Sequence, residues 1–229
     1  MCGRFTLDQT TNDLMAEFAA TTNRFPDWVP RWNIAPTTTI PIIIDNSEGE
    51  RIIGPARWSL TPSWSKELVL TYPTFNARSE TAAEKPTFRQ SVAHHRCIIP
   101  VSGYYEWASL AGSKVPHYIH LATGEVVGLA GLYSWWTNPE SGEVTATTTI
   151  LTRESAGELA QIHDRMPVVV KKDDRDRWLD SSVHDGPELV ASISQSTAES
   201  ASAWQFHPVS PLKGDGPHLV ERKDAYEGD

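Results

Sequence analysis

The sequence has little of what marks several common protein classes. It contains only two cysteines, Cys2 and Cys97, too few for the disulfide framework of a small secreted domain. No apolar run reaches the 18 or more residues that span a membrane, and no apolar segment of a secretion signal follows the start. We therefore predict a protein of a reducing compartment, cytoplasmic and associated with the nucleoid if bacterial, that does not contact a membrane.

Several motifs of catalytic and cofactor-binding sites are absent as well. There is no phosphate-binding loop, no glycine motif of a dinucleotide site and no Gly-x-Ser-x-Gly nucleophile turn. His94, His95 and Cys97 lie close together, and His117 and His120 follow, but the paired cysteines of a zinc site are missing. We therefore predict that the protein uses no metal and no cofactor.

Two compositional features are informative about a partner. Nine tryptophans are many for 229 residues, and aromatic side chains serve both as core residues and as stacking surfaces for bases. The formal net charge of −9 argues against general nucleic-acid binding. It still allows a local basic groove, because the basic residues are more prominent early in the chain and the acidic residues concentrate late.

Hydrophobic periodicity and turn residues predict a β-rich α+β domain without the alternation of a parallel βαβ fold. We predict one domain over residues 1–229, of which about 211–229 form a turn-rich tail. The predicted strands are 3–7, 38–44, 51–58, 96–101, 117–121, 126–135, 145–151 and 204–209. The predicted helices are 8–20, 87–94, 154–162, 173–179 and 187–194. Residues 32–36 are predicted as a loop, and residues 76–81 as the opening of a short helix.

The start of the chain is its most distinctive stretch. If Met1 is removed, which a small second residue permits, Cys2 carries an α-amine and a thiol on adjacent carbons. The free groups have pKa values of about 7.7–8.0 and about 8.5, so both have an unprotonated fraction near neutral pH. Such an aminothiol condenses with an aldehyde to an imine, which the thiol then closes to a five-membered thiazolidine. Judged by itself, Cys2 is more simply explained as a small residue at a frayed terminus.

Two residues are candidates for proton transfer. Glu106 lies between Tyr105 and Trp107, where the pattern alone favours an exposed side chain over a buried acid of raised pKa. His163 follows the helix predicted at 154–162, where a histidine either transfers protons or interacts favourably with the helix C-terminus.

An amide and three arginines form a further candidate set. Asn76 with Arg78 suits a phosphate-bearing substrate, but also suits an outward-facing helix cap. Arg4 and Arg89 are candidates for the same positive patch, although single surface arginines are usually only solvated.

Seven short stretches occur in an order that resembles one family. They are Met-Cys-Gly-Arg-Phe at 1–5, Trp-Asn-Ile-Ala-Pro-Thr at 32–37, Asn-Ala-Arg-Ser-Glu-Thr at 76–81, Lys-Pro-Thr-Phe-Arg at 85–89, Arg-Cys-Ile-Ile-Pro at 96–100, Gly-Tyr-Tyr-Glu-Trp at 103–107 and His-Asp-Arg-Met-Pro at 163–167. Each is weak alone, but together they closely resemble the SRAP family (SOS response-associated peptidase). The resemblance covers nearly the whole chain.

The resemblance implies a fold and a function. The implied fold is a barrel-like core of antiparallel sheets with peripheral helices. The implied function is covalent capture of abasic sites in single-stranded DNA by a monomer, through a thiazolidine at Cys2, with strand cleavage as an accompanying lyase activity. The resemblance implies catalytic roles for Cys2, Asn76, Glu106 and His163. It implies DNA contacts for Arg4, Asn33, Pro36, Trp64, Arg78, Arg89 and Trp107.

Three other functions remain open at this stage. One is an N-terminal-nucleophile glutaminase, in which Cys2 attacks an amide within a layered α/β fold. Another is a thiol peptidase that uses Cys2, Glu106 and His163, with removal of its own Met1 as one form of that activity. The third is a module that binds single-stranded DNA without a covalent bond, in which Cys2 is incidental.

Overall fold

The computed structural model describes residues 2–110, 112–183 and 185–223. The strands in these ranges are β1 Phe5–Leu7, β2 Thr22–Asn23, β3 Arg31–Ile34, β4 Thr39–Asp45, β5 Arg51–Trp58, β6 Asn76–Arg78, β7 Arg96–Val101, β8 Gly103–Leu110, β9 Ser113–Leu121, β10 Val127–Thr137, β11 Val144–Glu154, β12 Arg165–Pro167 and β13 Trp204–Pro208. The α-helices are α1 Thr11–Phe18, α2 Arg89–His94, α3 Arg175–Leu179 and α4 Gly186–Glu199. Short 3-10 helices span Gly157–Gln161, Lys172–Asp174, Ala201–Ala203 and Pro217–Val220.

A closed barrel of five strands forms the centre of the fold. The strands follow the order β11, β10, β7, β4 and β5 through antiparallel pairs. A parallel pairing of β5 with β11, which places Arg57 opposite Thr147, closes the ring. Strands β6 and β12 pair with β11, and β2 pairs with β5. The prediction of a β-rich barrel with peripheral helices is confirmed.

A second antiparallel sheet carries the start of the chain. Its strand order is β13, β9, β8, β1 and β3, and Phe5 of β1 lies opposite Tyr104 of β8. The Phe5 ring lies 4.9 Å from the Trp58 ring of the barrel. Because side chains alternate along a strand, Tyr104 and Glu106 lie on one face of β8, and Tyr105 and Trp107 lie on the other.

Most predicted strands agree with the observed ones, including 51–58 and 96–101, which match β5 and β7. Cys97 in β7 is fully buried, as expected for a small apolar residue. The helix predicted at 8–20 is shorter in the structure and spans Thr11–Phe18. It begins after Thr10, whose hydroxyl accepts a hydrogen bond from the backbone N–H of Asp13 in a capping box.

Two predictions of local structure were wrong because long-range pairing overrides local preference. Residues 31–34 form β3 rather than a loop, since they pair with β1. Residues 76–78 form β6 rather than the start of a helix, since they pair in parallel with β11.

The segment before His163 also differs from its prediction. Strand β11 continues to Glu154, so the first residue of the predicted helix belongs to the strand. The helix predicted at 154–162 is reduced to a 3-10 helix at Gly157–Gln161, without a side-chain cap. His163 nevertheless follows that helix, as predicted.

The described part of the predicted tail packs against the second sheet. Leu219 is buried in a small cluster with Tyr105, Tyr118 and Val209. Residues 224–229 of the predicted tail lie outside the described ranges, and the single domain over 1–229 stays a prediction. Among the described residues, no helix is both long enough and apolar enough to cross a membrane.

Candidate active site

Cys2 lies just before β1 and is completely buried. Burial raises the pKa of its thiol far above the ordinary value, and the negative charge of Glu106 raises it further. The thiol is therefore protonated near neutral pH. This differs from catalytic cysteines, whose pKa is lowered by nearby positive charge.

Asn76 joins Cys2 to the barrel. It is the first residue of β6, where it lies opposite Ile150 of β11. Its side-chain amide donates a hydrogen bond of 2.8 Å to the backbone oxygen of Cys2. Its other polar atom, Oδ1, is buried and accepts no hydrogen bond from any part of the chain that the structure describes. A buried amide oxygen in this state is unusual and marks a position where a donor is expected.

Glu106 is buried, with 3% of its surface exposed, so the pattern-based preference for an exposed side chain was wrong. The reason is that this face of β8, which also carries Tyr104, is packed against the main core rather than facing solvent. The carboxylate reaches the next catalytic candidate, because Oε2 lies 3.9 Å from Nε2 of His163.

His163 is oriented by its own loop. The backbone N–H of Arg165 lies 3.0 Å from His163 Nδ1, and the Asp164 carboxylate lies 2.8 Å from the same nitrogen. An unprotonated Nδ1 accepts a hydrogen bond from Arg165, whereas a protonated Nδ1 donates one to Asp164. In both states the contacts are made by Nδ1, and Nε2 faces Glu106. Arg165 is held in turn by two hydrogen bonds of 2.8 Å to the Glu80 carboxylate.

Tyr104 is a residue of this site that the sequence analysis did not identify. It is buried, and burial raises its pKa well above the usual value, with the charges of Cys2 and Glu106 adding to the shift. It therefore retains its phenolic proton in the same environment. The signal available in the sequence was its i, i+2 spacing from Glu106, which places both side chains on one face of β8.

The predicted DNA-contacting residues lie in several separate places. Arg4 donates a 2.9 Å hydrogen bond to Oδ1 of Asn33, and Pro36 is half-buried two residues after β3. Arg78 is exposed and lines, with Asn76, a cavity of about 470 Å³. Arg89 is exposed at the start of α2. The structure thus brings together two separate pairs of these residues, Asn76 with Arg78 and Arg4 with Asn33.

The two predicted aromatic contacts lie in different places. Trp64 is 60% exposed and lines a hollow of about 210 Å³ next to the Asn76 cavity, with which it shares Pro86 and Thr87. Trp107 is half-buried and packs against the cluster around Tyr105, on the face of β8 opposite Glu106. Among the described residues, no group of three or more His, Cys, Asp or Glu side chains is placed to hold a metal ion.

Comparison with known proteins gives consistent matches over this chain. The model of the SOS response associated peptidase (SRAP) family matches residues 1–214. The chain is 35% identical over 226 residues to abasic site processing protein YoqW of Bacillus subtilis (strain 168), covering 96% of this chain and 99% of YoqW. It is 30% identical over 229 residues to abasic site processing protein YedK of Escherichia coli (strain K12), covering 96% and 99%. A crystal structure of a Bacteroides thetaiotaomicron protein has the same fold, with a TM-score of 0.86, 22% identity and coverage of 97% and 100%.

Proposed function

The chain belongs to the SOS response associated peptidase (SRAP) family, and from this premise we propose that it processes abasic sites in DNA by covalent capture through Cys2. The observation that supports this most is the set of groups near Cys2, a residue able to carry an amine and a thiol. The Asn76 amide contacts it, the Glu106 charge acts on its thiol, and the His163 imidazole lies 3.9 Å from Glu106. The proposal requires removal of Met1, because only then does the α-amine belong to Cys2.

The substrate fits this aminothiol. The deoxyribose of an abasic site has an open form with an aldehyde at C1′. The α-amine adds to the C1′ carbon, and loss of one water gives the imine. The thiol sulfur then adds to the imine carbon while its proton is transferred, and the product is a thiazolidine. Holding the three reacting groups together contributes up to roughly 7–11 kcal/mol to lowering the barrier.

The state of the thiol determines the order of these steps. In the chain that still carries Met1, burial and the Glu106 charge raise the pKa of the Cys2 thiol, and the charge of the terminal amine lowers it. We expect burial to remain the larger effect once the amine belongs to Cys2, so that the amine reacts first. The protonated imine then places a positive charge beside the sulfur, which favours loss of the thiol proton. Imine formation thus activates the second nucleophile only after the substrate is bound, so the free protein does not present a reactive thiolate.

The neighbouring side chains have separate roles in the proposal. Asn76 already donates to the Cys2 oxygen, and its buried Oδ1 is an acceptor suited to the N–H of the free α-amine or of the adduct. Glu106 accepts and returns protons at the amine and the thiol. His163 Nε2, 3.9 Å from Glu106, protonates the ring oxygen of the sugar and so favours opening to the aldehyde.

The surrounding residues would hold a single strand on either side of the lesion. Arg4, Arg78 and Arg89 would bind phosphates, with Asn33 and Pro36 beside Arg4. Trp64 and Trp107 would contact bases, and stacking of a base on an aromatic side chain is worth about 1–3 kcal/mol. We propose that a monomer is sufficient, because all residues named here come from one chain. Strand cleavage by a lyase reaction would start from the same imine.

The test is a denaturing gel of the purified protein mixed with single-stranded DNA that carries one abasic site. We expect a slow band with the wild type, and none with Cys2→Ala. Intact mass should show that Met1 is absent from the reactive protein and that the adduct has lost one water. A protein that binds the strand but gives no band would support the non-covalent module instead. Ammonia release from glutamine without a band would support the hydrolase.

A further inference from the structure

The open end of the barrel contains a cavity of about 570 Å³. Four of the five barrel strands line it, among others through Ile44 of β4, Ile52 of β5, Trp135 of β10 and Ala146 of β11. Ile44 lies opposite Ile52, and Trp135 lies opposite Ala146. Because residues directly opposite each other in a sheet point to the same side, both members of each pair line the cavity. The mouth of a β-barrel is a common place for a ligand pocket.

The barrel mouth adjoins the candidate active site through one intervening hollow. Trp135 and His95 line both the barrel mouth and the hollow that contains Trp64. That hollow shares Pro86 and Thr87 with the cavity of Asn76 and Arg78. The three spaces therefore lie in a row, which we call the groove, from the partner of Cys2 to the barrel.

The groove collects exposed apolar side chains. Six large hydrophobic side chains are exposed among the described residues, and four of these line the groove, namely Tyr72, Trp64, Trp135 and Val144. Such a concentration marks a binding surface. Trp135 is 47% exposed, and its ring packs edge-on against Tyr133, with the centroids 6.0 Å apart. Its exposed surface is a platform for a flat partner.

The charge of the groove suits a polyanion. In a chain of net charge −9, the single acidic residue among the described lining residues is Asp45, and it is paired with Arg51 at 2.8 Å. Arg24, Arg78 and Lys85 contribute positive charge. A nucleic-acid strand presents both features that the groove matches, a negative backbone and flat apolar bases.

We propose that the barrel mouth binds a nucleobase of the captured strand, stacked on Trp135, several nucleotides away from the lesion. The inference rests on the proposed function for the position of the lesion. Strand β11 connects the two places. Asn76 pairs with its residue Ile150 on one side, and Trp135 pairs with its residue Ala146 on the other side. Ile150 and Ala146 are four residues apart along β11. At about 3.3 Å per residue and about 4.8 Å per strand, the separation is roughly 16 Å. That distance corresponds to about five stacked nucleotides at about 3.4 Å each, and to fewer where the strand is extended.

Gly54 gives an independent way to perturb the barrel mouth. It lies in β5 and lines the cavity, and a Cβ added there meets no atom within 4 Å. A Cβ at this position therefore has room, and a β-branched residue is compatible with a strand. Gly54→Val adds bulk at the wall of the cavity, whereas Trp135→Ala removes the platform and Trp135→Phe retains part of it.

The experiment measures equilibrium binding of labelled single strands by fluorescence anisotropy. The lesion is a tetrahydrofuran spacer, which cannot open to an aldehyde, so no covalent product forms. In further strands the bases three to five nucleotides away, on the 5′ or on the 3′ side, are also replaced by spacers. This removes the bases and keeps the phosphates. Val29→Ala, at an exposed apolar residue outside the groove, is the control.

We expect the wild type and Val29→Ala to lose about 5- to 100-fold in affinity when the bases on one side are removed. Trp135→Ala and Gly54→Val should bind the complete strand more weakly and lose little more on base removal, while Trp135→Phe should be intermediate. An equal loss in the wild type and Trp135→Ala would overturn the inference, as would a wild type indifferent to distant bases. A missing covalent band with a true abasic strand would overturn the proposed chemistry but leave this result standing.

Discussion

Replacing Glu106 by Gln should change two properties of the site in opposite directions. Glutamine keeps the shape of the side chain but removes the charge and the ability to transfer a proton. Covalent capture should become slower, because the acid-base group between Cys2 and His163 is lost. The pKa of the Cys2 thiol should fall, because the Glu106 charge is the second cause of its upward shift. It should stay above the ordinary value, because burial is the larger cause and remains.

The size of the effect follows from the role of Glu106 in proton transfer, which its position 3.9 Å from Nε2 of His163 supports. Loss of a general acid-base group costs about 10²- to 10⁴-fold. We therefore expect capture to slow by about 10²- to 10⁴-fold.

The assay follows the covalent band over time with an abasic single strand in excess. The rate of alkylation of Cys2 is measured as a function of pH by mass spectrometry, in a Cys97→Ala background so that one thiol remains. Glu140→Gln, at an exposed turn between β10 and β11, is the control for loss of one negative charge. Urea unfolding verifies that the variants are folded.

Capture by Glu106→Gln at the wild-type rate would refute the acid-base role. A thiol that titrates at the same pH in both proteins would show that the Glu106 charge does not act on Cys2. A slower reaction together with a more acidic thiol is the combination that the geometry requires. Because opening the site to water would also lower the pKa of a buried thiol, the free energy of unfolding of Glu106→Gln must match that of the Glu140→Gln control.

Two further predictions concern stability. Asp215 accepts hydrogen bonds from the backbone N–H groups of Trp32 and Asn33, at 2.6 and 3.1 Å. Asp215→Ala should therefore lower the free energy of unfolding by about 1–3 kcal/mol in urea titrations, and unchanged unfolding would contradict this. It should also weaken DNA binding, because Asn33 accepts a hydrogen bond from Arg4. Burial raises the pKa of the Cys97 thiol to about 12, so the unfolded chain loses this proton first as pH rises. The free energy of unfolding should fall above about pH 8.5, by about 2 kcal/mol at pH 10. In Cys97→Ala it should fall less steeply with pH. Equal pH dependence in the two proteins would show that the Cys97 thiol is not the group responsible.

Much of the molecule follows from local sequence signals. Strands β5 and β7 match their predicted limits because each is an apolar run bounded by turn residues. The first turn of α1 follows from the Thr10 capping box. The motifs around Cys2, Asn76, Glu106 and His163, in their order along the chain, were sufficient to indicate the family.

Other features depend on which distant segments meet. The site of Asn76 is a strand because β11 lies beside it, although its polar sequence favours a helix cap. Asp215 lies just beyond the residues that match the family model and reaches β3 only in the folded chain. Trp135 has no motif of its own, and its place in a groove is apparent only once four strands form the barrel mouth.

The sequence by itself determined the chemical groups and their order, namely an aminothiol precursor, an amide, a carboxylate and an imidazole, because residue identity is local information. The tertiary structure alone decided that the Cys2 thiol is buried and protonated, that Glu106 is enclosed near His163, and that Asn76 keeps a buried acceptor. The physical reason is that solvation and charge at a side chain depend on everything packed around it. In this protein those neighbours come from β1, β6, β8 and the loop before β12, which are far apart along the chain.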